Sequence, residues 1–123
     1  APGRVVTVME ADRADPNAPA LAENRRRLEA AEDARGRRLE IVDLPTPGRI
    51  EGPEGRLPAS YANFYFANAA LLLPVFGVDA DREAIALLAS LVTDRQVVPL
   101  PSRDIVHGLG AVHCLTQQEP ALP

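Results

Sequence analysis

The stretch LLLPVFGVDADREAIALLASLVTDRQVVPLP, residues 71–101, decides the fold. Its apolar run Leu71-Leu72-Leu73-Pro74-Val75-Phe76 is too short for a helix and reads as a strand. An acidic loop follows, in which Asp79 or Asp81 is expected to cap a helix. Within that helix Ile85, Leu88, Ala89 and Val92 fall at i, i+3, i+4 and i+7, the spacing of a buried stripe. Residues 96–100 then read as a second strand. The first part of the chain repeats the plan. Val5-Val6-Thr7-Val8-Met9 is a β-branched strand, and Pro16 and Asn17 close an acidic loop. Asn17 is a candidate N-cap with Pro19 in the first turn, and residues 21–35 are expected to be helical, with Leu21, Leu28 and Ala31 on one side and Gly36 as the stop. Residues 39–44 complete the unit as a strand. The closing runs IVDLP (41–45) and VVPLP (97–101) are alike, so the chain is an α/β protein built on an internal repeat.

Residues 45–58 hold four prolines and three glycines, a density no element interior tolerates, and are expected to be a loop between the two units. Residues 61–66 (YANFYF) and 71–76 are expected to be strands of a hairpin turning at Asn68-Ala69-Ala70. The cluster Arg25-Arg26-Arg27 is surrounded by Glu23, Glu29, Glu32 and Asp33. It reads as a solvated helix face with pairs such as Glu23 and Arg27, not as an interaction patch.

At 123 residues the chain is one domain's worth of sequence. Its formal charge of −4 argues against a nucleic-acid partner, which would call for a basic surface, and is compatible with a cationic one. No apolar stretch reaches the about 20 residues needed to cross a bilayer, and the N-terminus has no basic-then-apolar signal, so no membrane partner and a cytoplasmic location are expected. No His, Cys, Asp and Glu cluster has metal-ligand spacing, and neither a metal nor another cofactor is expected.

The remaining chemistry centres on Cys114, the chain's one cysteine, in the run GLGAVHCLTQQ (108–118). With no partner in the chain it forms no internal disulfide. A glycine-spaced loop leading into a short apolar strand can present a nucleophilic thiol beside backbone amides, while a free cysteine can equally be a small buried hydrophobe; the residues alone leave both open.

The segments SYANFYFANAALLLPVFG (60–77) and DREAIALLASLVTDRQVVPLPSRDIVHGLGAVHCLTQQEP (81–120), anchored by the NFY run and the HCLTQQ run, closely resemble the C-terminal part of the agmatine deiminases and bacterial-type peptidylarginine deiminases, guanidine-modifying enzymes of the pentein type. The resemblance implies ββαβ modules about a pseudo-fivefold axis, of which this chain would hold about two of five, roughly residues 1–45 and 60–116. Family members are much longer. Together with an opening Ala1-Pro2-Gly3 that lacks methionine, this leads to the expectation of a C-terminal fragment, about a third of an enzyme; the competing reading is a natural small domain with its methionine removed.

Function follows from the same resemblance. Cys114 is expected to be the catalytic nucleophile, attacking the guanidino carbon of agmatine to form a covalent amidino intermediate, while a histidine protonates the departing ammonia and then activates water to release N-carbamoylputrescine, a step towards putrescine. Asn63, Gly108 and Gly110 are carried over as substrate-binding residues, and the partner as a cationic guanidino small molecule; a homodimer is compatible with the resemblance. The family's catalytic histidine and guanidinium-gripping carboxylates lie in modules outside these residues, so the chain by itself is expected to be inactive. His113, next to Cys114 on an expected strand, should face away from the thiol as a packed or hydrogen-bonded residue, and His107 is expected to be a loop residue. Two positions depart from the usual G-G-G-N-[IV]-H-C loop: Leu109 replaces a glycine and Ala111 an asparagine. Leucine does not readily take positive φ, and alanine offers no side-chain hydrogen bond. Two other readings are a protein-arginine deiminase of the same fold and a non-catalytic module in which these departures mark lost function.

Overall fold

The computed structural model describes residues 3–121; the readings that rest on Ala1, Pro2, Leu122 and Pro123 lie outside the described residues. Two strand–helix–strand units follow one another, as the repeat predicts. In the first, β1 (Arg4–Met9), α1 (Ala18–Ala30) and β2 (Glu40–Pro45) form a parallel pair with its crossover helix, Val5 opposite Ile41 and Val6 opposite Val42. Next comes a short antiparallel hairpin, β3 (Glu51–Gly52) and β4 (Gly55–Arg56). In the second unit β5 (Tyr65–Phe66) pairs antiparallel with β6 (Ala70–Val75), and α2 (Ala80–Leu91) carries the chain to β7 (Gln96–Pro101), parallel to β6 with Leu71 opposite Val97. The fold is mixed α/β with small separate sheets.

The core lies where β2 and β6 meet α2. Leu44, Tyr61, Leu71, Leu73, Phe76, Ala84, Leu88 and Val106 are almost fully buried there, and Ile50 joins them from the middle of the expected loop. Burial of that kind stabilises by roughly 1.5–3 kcal/mol per large side chain. α1 contributes no fully buried residue and lies on the surface. Its arginines are taken up as expected: Glu23 binds Arg26 and Arg27, and Arg25 binds Asp43 of β2 at 2.7 Å and also Glu29. No helix among the described residues is long and apolar enough to cross a membrane.

Several boundaries differ from expectation, each for a local reason. α1 stops at Ala30, not at residue 35, because Asp33 folds the chain back: its carboxylate accepts the Arg35 and Arg37 amides, Gly36 turns at φ +71°, and Glu32 pairs with Arg38. Neither Asn17 nor Asp79 caps its helix through a side chain, although each stands at the cap position. The buried face of α2 runs through Ala84 and Leu88, while Ala89 is exposed. Within residues 45–58 the β3–β4 hairpin gives part of the proline-rich segment regular structure. The strand expected over residues 61–66 shrinks to Tyr65–Phe66, because Tyr61 turns inward and packs on Phe76, ring centroids 5.7 Å apart. The hairpin to β6 is present, closed by the Ala67 amide donating to the Ala70 carbonyl at 2.8 Å.

Asp81, in the first turn of α2, does the capping work, and it caps the loop before the helix. Its carboxylate accepts the amides of Phe76, Gly77 and Val78 and the Tyr61 hydroxyl at 2.6 Å. Burial pushes this carboxyl upward in pKa, but the hydrogen bonds from Tyr61 and the three amides outweigh it and hold it below the ordinary 3.8. Hydrogen bonds to a charged acceptor are the stronger kind, and removing it strands a buried phenol. Asp81→Ala should therefore cost about 2–3 kcal/mol in urea unfolding at pH 7. Because the folded pKa is depressed, the contribution is full above the unfolded value and is lost as pH falls through the folded one. The deficit of the variant should shrink on acidification below 3.8. A deficit that is the same at neutral and acid pH would show that the carboxylate is not the source.

Candidate active site

Beyond β7 the chain makes two short 3₁₀ turns, Ile105–Gly108 and His113–Leu115, where sequence pattern alone suggests a strand carrying Cys114. The segment is held from outside, not by a sheet. Buried Ser102 starts it: its amide donates to Val75 and its carbonyl accepts the Val106 amide. Val106, Ala111 and Val112 pin it to the core by burial. The strand expectation fails because Ala111 and Val112 are buried without a neighbouring strand, and the amides of the two residues that follow, His113 and Cys114, are taken up by one asparagine.

That asparagine is Asn63. Its backbone carbonyl accepts the His113 amide at 3.0 Å, and its Oδ1 accepts the same amide at 2.9 Å and the Cys114 amide at 3.3 Å. With Oδ1 committed to two N–H donors, Nδ2 is turned onto Cys114 Sγ, to which it donates at 3.0 Å. Asn63 thus fixes both the backbone and the sulfur of a residue 51 positions away. The thiol is exposed. The Asn63 amide, and behind it the backbone N–H of Ala111, hold its pKa below the ordinary thiol value against a small opposing effect of burial.

Gly110 lies against the thiol: a Cβ at this position would fall 2.8 Å from Cys114 Cβ and 3.1 Å from Sγ, so any side chain would displace it. Gly108 is different. A Cβ there meets nothing within 4 Å, and its φ is not left-handed. Of the four residues carried into the site from sequence, the structure brings together Cys114, Asn63 and Gly110, and leaves Gly108 outside their contacts. His113, on a turn, is exposed instead of packed, and among the described residues its ring makes no hydrogen bond; the alternating-face argument falls with the strand. His107 is exposed on the first 3₁₀ turn.

Leu109 does what a leucine resists. It is the one described non-glycine residue in the left-handed region, at φ +64°, ψ +21°, and ends the turn Ile105–Gly108. With 74% of its surface exposed, little core burial offsets that conformation. The consequence of this position was legible in the sequence, as a leucine where glycine is expected; its actual φ was not.

A family model described as Porphyromonas-type peptidyl-arginine deiminase matches residues 1–120. The agmatine deiminase of Ectopseudomonas mendocina is 37% identical over 138 aligned residues, taking in 98% of this chain and 38% of that protein. That of Pseudomonas aeruginosa is 36% identical over 98% of this chain and 38% of its own length. Among solved structures, the agmatine deiminase of Enterococcus faecalis superposes with a TM-score of 0.89 at 31% identity, covering 98% of this chain and 38% of that one. The mixed α/β fold is that of the deiminases. The chain belongs to the Porphyromonas-type peptidyl-arginine deiminase family, and it spans a little over a third of the length of the relatives it matches.

Two outcomes test the site. Asn63→Ala should raise the midpoint of the pH dependence of Cys114 alkylation and lower its rate near neutral pH, since the donor that favours the thiolate is gone; an unmoved midpoint would show that Asn63 does not tune the sulfur. Leu109→Gly should stabilise the fold by about 0.5–1 kcal/mol in urea unfolding, the left-handed cost of 1–2 kcal/mol less the greater chain entropy of glycine. A loss of stability would mean that the leucine side chain packs more than its exposure indicates.

Proposed function

We propose that this chain forms the C-terminal part of a deiminase catalytic domain, about two of five modules of a pentein propeller, and that Cys114 is its nucleophile. The observation that carries the reading is the Asn63–Cys114 contact: an exposed thiol, biased towards the thiolate, held by an amide that also clamps the backbone beside it. The names of the relatives support agmatine as substrate. In this reaction Cys114 Sγ adds to the guanidino carbon. Ammonia leaves with a proton from a histidine supplied by another part of the domain. Water, deprotonated by that histidine, then adds to the amidino carbon and the C–S bond breaks, regenerating the thiolate and leaving a ureido product. The cationic guanidinium favours the thiolate as it binds, which suits a thiol whose pKa is lowered only by neutral donors. Asn63 positions the sulfur, and Gly110 gives the incoming carbon room at its side. The location of such an enzyme would be the cytoplasm, and its product would feed putrescine formation.

The family description favours a second reading, arginine within a peptide as substrate, with the same chemistry at the thiol. Both readings are tested in the full-length enzyme. Cys114→Ala should abolish conversion of the guanidino group, and a haloacetamidine should label Cys114 faster than neutral iodoacetamide, because a substrate-like charge is drawn to the thiolate. Retained turnover in the alanine variant, or equal labelling rates, would make Cys114 an ordinary exposed thiol.

A further inference from the structure

Asn63 reaches the thiol from the last position of a four-residue turn. Its backbone amide donates to the Ser60 carbonyl at 3.2 Å, which closes residues 60–63, and the Ser60 hydroxyl accepts the Ala62 amide at 3.2 Å inside the turn. Tyr61 is the one fully buried side chain of the four. Its ring packs on Phe76, and its hydroxyl donates to Asp81 Oδ1 at 2.6 Å. That acceptor does not depend on Tyr61 for its own place, because the amides of Phe76, Gly77 and Val78 also hold it. The turn is therefore tied to a fixed point at its second residue and presents Asn63 at its fourth. At the far end there is little slack. Asn63 Oδ1 lies 2.9 Å from the His113 amide nitrogen and 3.3 Å from that of Cys114, the second already long for an N–H···O bond, and Nδ2 stands 3.0 Å from Cys114 Sγ. All three contacts share one rigid planar amide, so a displacement of the Asn63 backbone loses the longest of them first and turns Nδ2 off the sulfur.

We propose that Tyr61 is a positioning residue for the Cys114 thiol: its hydrogen bond to Asp81 fixes the turn 60–63 and so aims the Asn63 amide at the sulfur. Tyr61 touches neither the thiol nor a substrate and acts through Asn63 alone. The ring and the hydroxyl divide the work. Burial of the ring holds the turn to the core, whereas the single directed bond from the hydroxyl fixes how the turn is set. Loss of the hydroxyl therefore leaves the fold in place and loosens the aim. That the thiol so positioned is a nucleophile rests on the deiminase reading; that Tyr61 positions it does not.

The test uses Tyr61→Phe, Asn63→Ala and the double variant in the full-length enzyme, with iodoacetamide labelling of the peptide carrying Cys114 followed across pH. Tyr61→Phe keeps the buried ring and leaves Asp81 its three amide donors, so the variant folds. It should raise the midpoint of Cys114 alkylation in the same direction as Asn63→Ala and by less. In the Asn63→Ala background the same change should move the midpoint no further, because the side chain that carries the effect is gone. Turnover of agmatine by Tyr61→Phe should fall roughly tenfold in kcat with KM little changed, since the sulfur and not the substrate is displaced. A purely structural tyrosine would lower stability in urea and leave the midpoint of the folded protein where it was, and that result would overturn the proposal. A shift that persists undiminished in the Asn63→Ala background would overturn it too, by showing a route that bypasses the asparagine. A midpoint that moves as expected in an enzyme whose wild type converts neither agmatine nor a peptidyl-arginine would uphold the positioning and overturn the deiminase reading.

Discussion

The Asp81 carboxylate is the constraint on which the rest of the second unit depends. Four donors converge on it: three consecutive amides from the end of β6 to the entry of α2, and the phenol of Tyr61. The amides set the angle at which the helix leaves the sheet. The phenol draws the segment before β5 into the core, where Tyr61 is fully buried, and burial followed by the Asp81 hydrogen bond pushes its pKa well up, so that it remains a donor at any ordinary pH. A buried hydroxyl without an acceptor costs about 1–3 kcal/mol, which is why the pair stands or falls together. Two residues after Tyr61 comes Asn63. The chain of cause therefore runs from one carboxylate, through a buried tyrosine, to the side chain that holds the thiol.

What the sequence made legible was the part governed by local pattern. β-Branched and apolar runs, an amphipathic helix and the likeness of the runs 41–45 and 97–101 were enough to anticipate two strand–helix–strand units, and these form, each with its two strands paired in parallel. Where a side chain far away in sequence sets the backbone, local pattern misled. The run carrying Cys114 reads as a short apolar strand, but His113–Leu115 folds as a 3₁₀ turn, because the His113 and Cys114 amides are taken up by Asn63 and not by a neighbouring strand. The YANFYF run is β-rich by propensity, yet its first half is bent inward by Tyr61. The helix boundary at Ala30 was lost to the side chain of Asp33, which competes for the backbone as short polar side chains do.

The site was legible to a different extent. Cys114 and Asn63 could be singled out from the family motifs, but their contact could not: 51 residues separate them, and no periodicity links a turn to a turn. The two glycines carried over with them looked equivalent in sequence and are not, since only Gly110 is packed against the sulfur. The β3–β4 hairpin, hidden inside a proline-rich segment, was missed. Its one forward signal was Pro53-Glu54-Gly55, a turn-forming triplet flanked by residues able to pair, with Gly55 at φ +117°.

The hydrogen bonds at position 63 call for an asparagine. Aspartate would accept the same two amides through one oxygen but present a second negative oxygen to the sulfur, raising the thiol's pKa by repulsion. A lysine or arginine would favour the thiolate more strongly but could not accept the His113 and Cys114 amides, which would leave the turn unsupported. Only a side chain with an acceptor and a donor on one rigid plane does both, and Gln would place that plane one methylene too far. The amide is neutral, so it biases the thiol without committing it; in the proposed reaction the remaining stabilisation of the thiolate would come from the cation of the bound substrate.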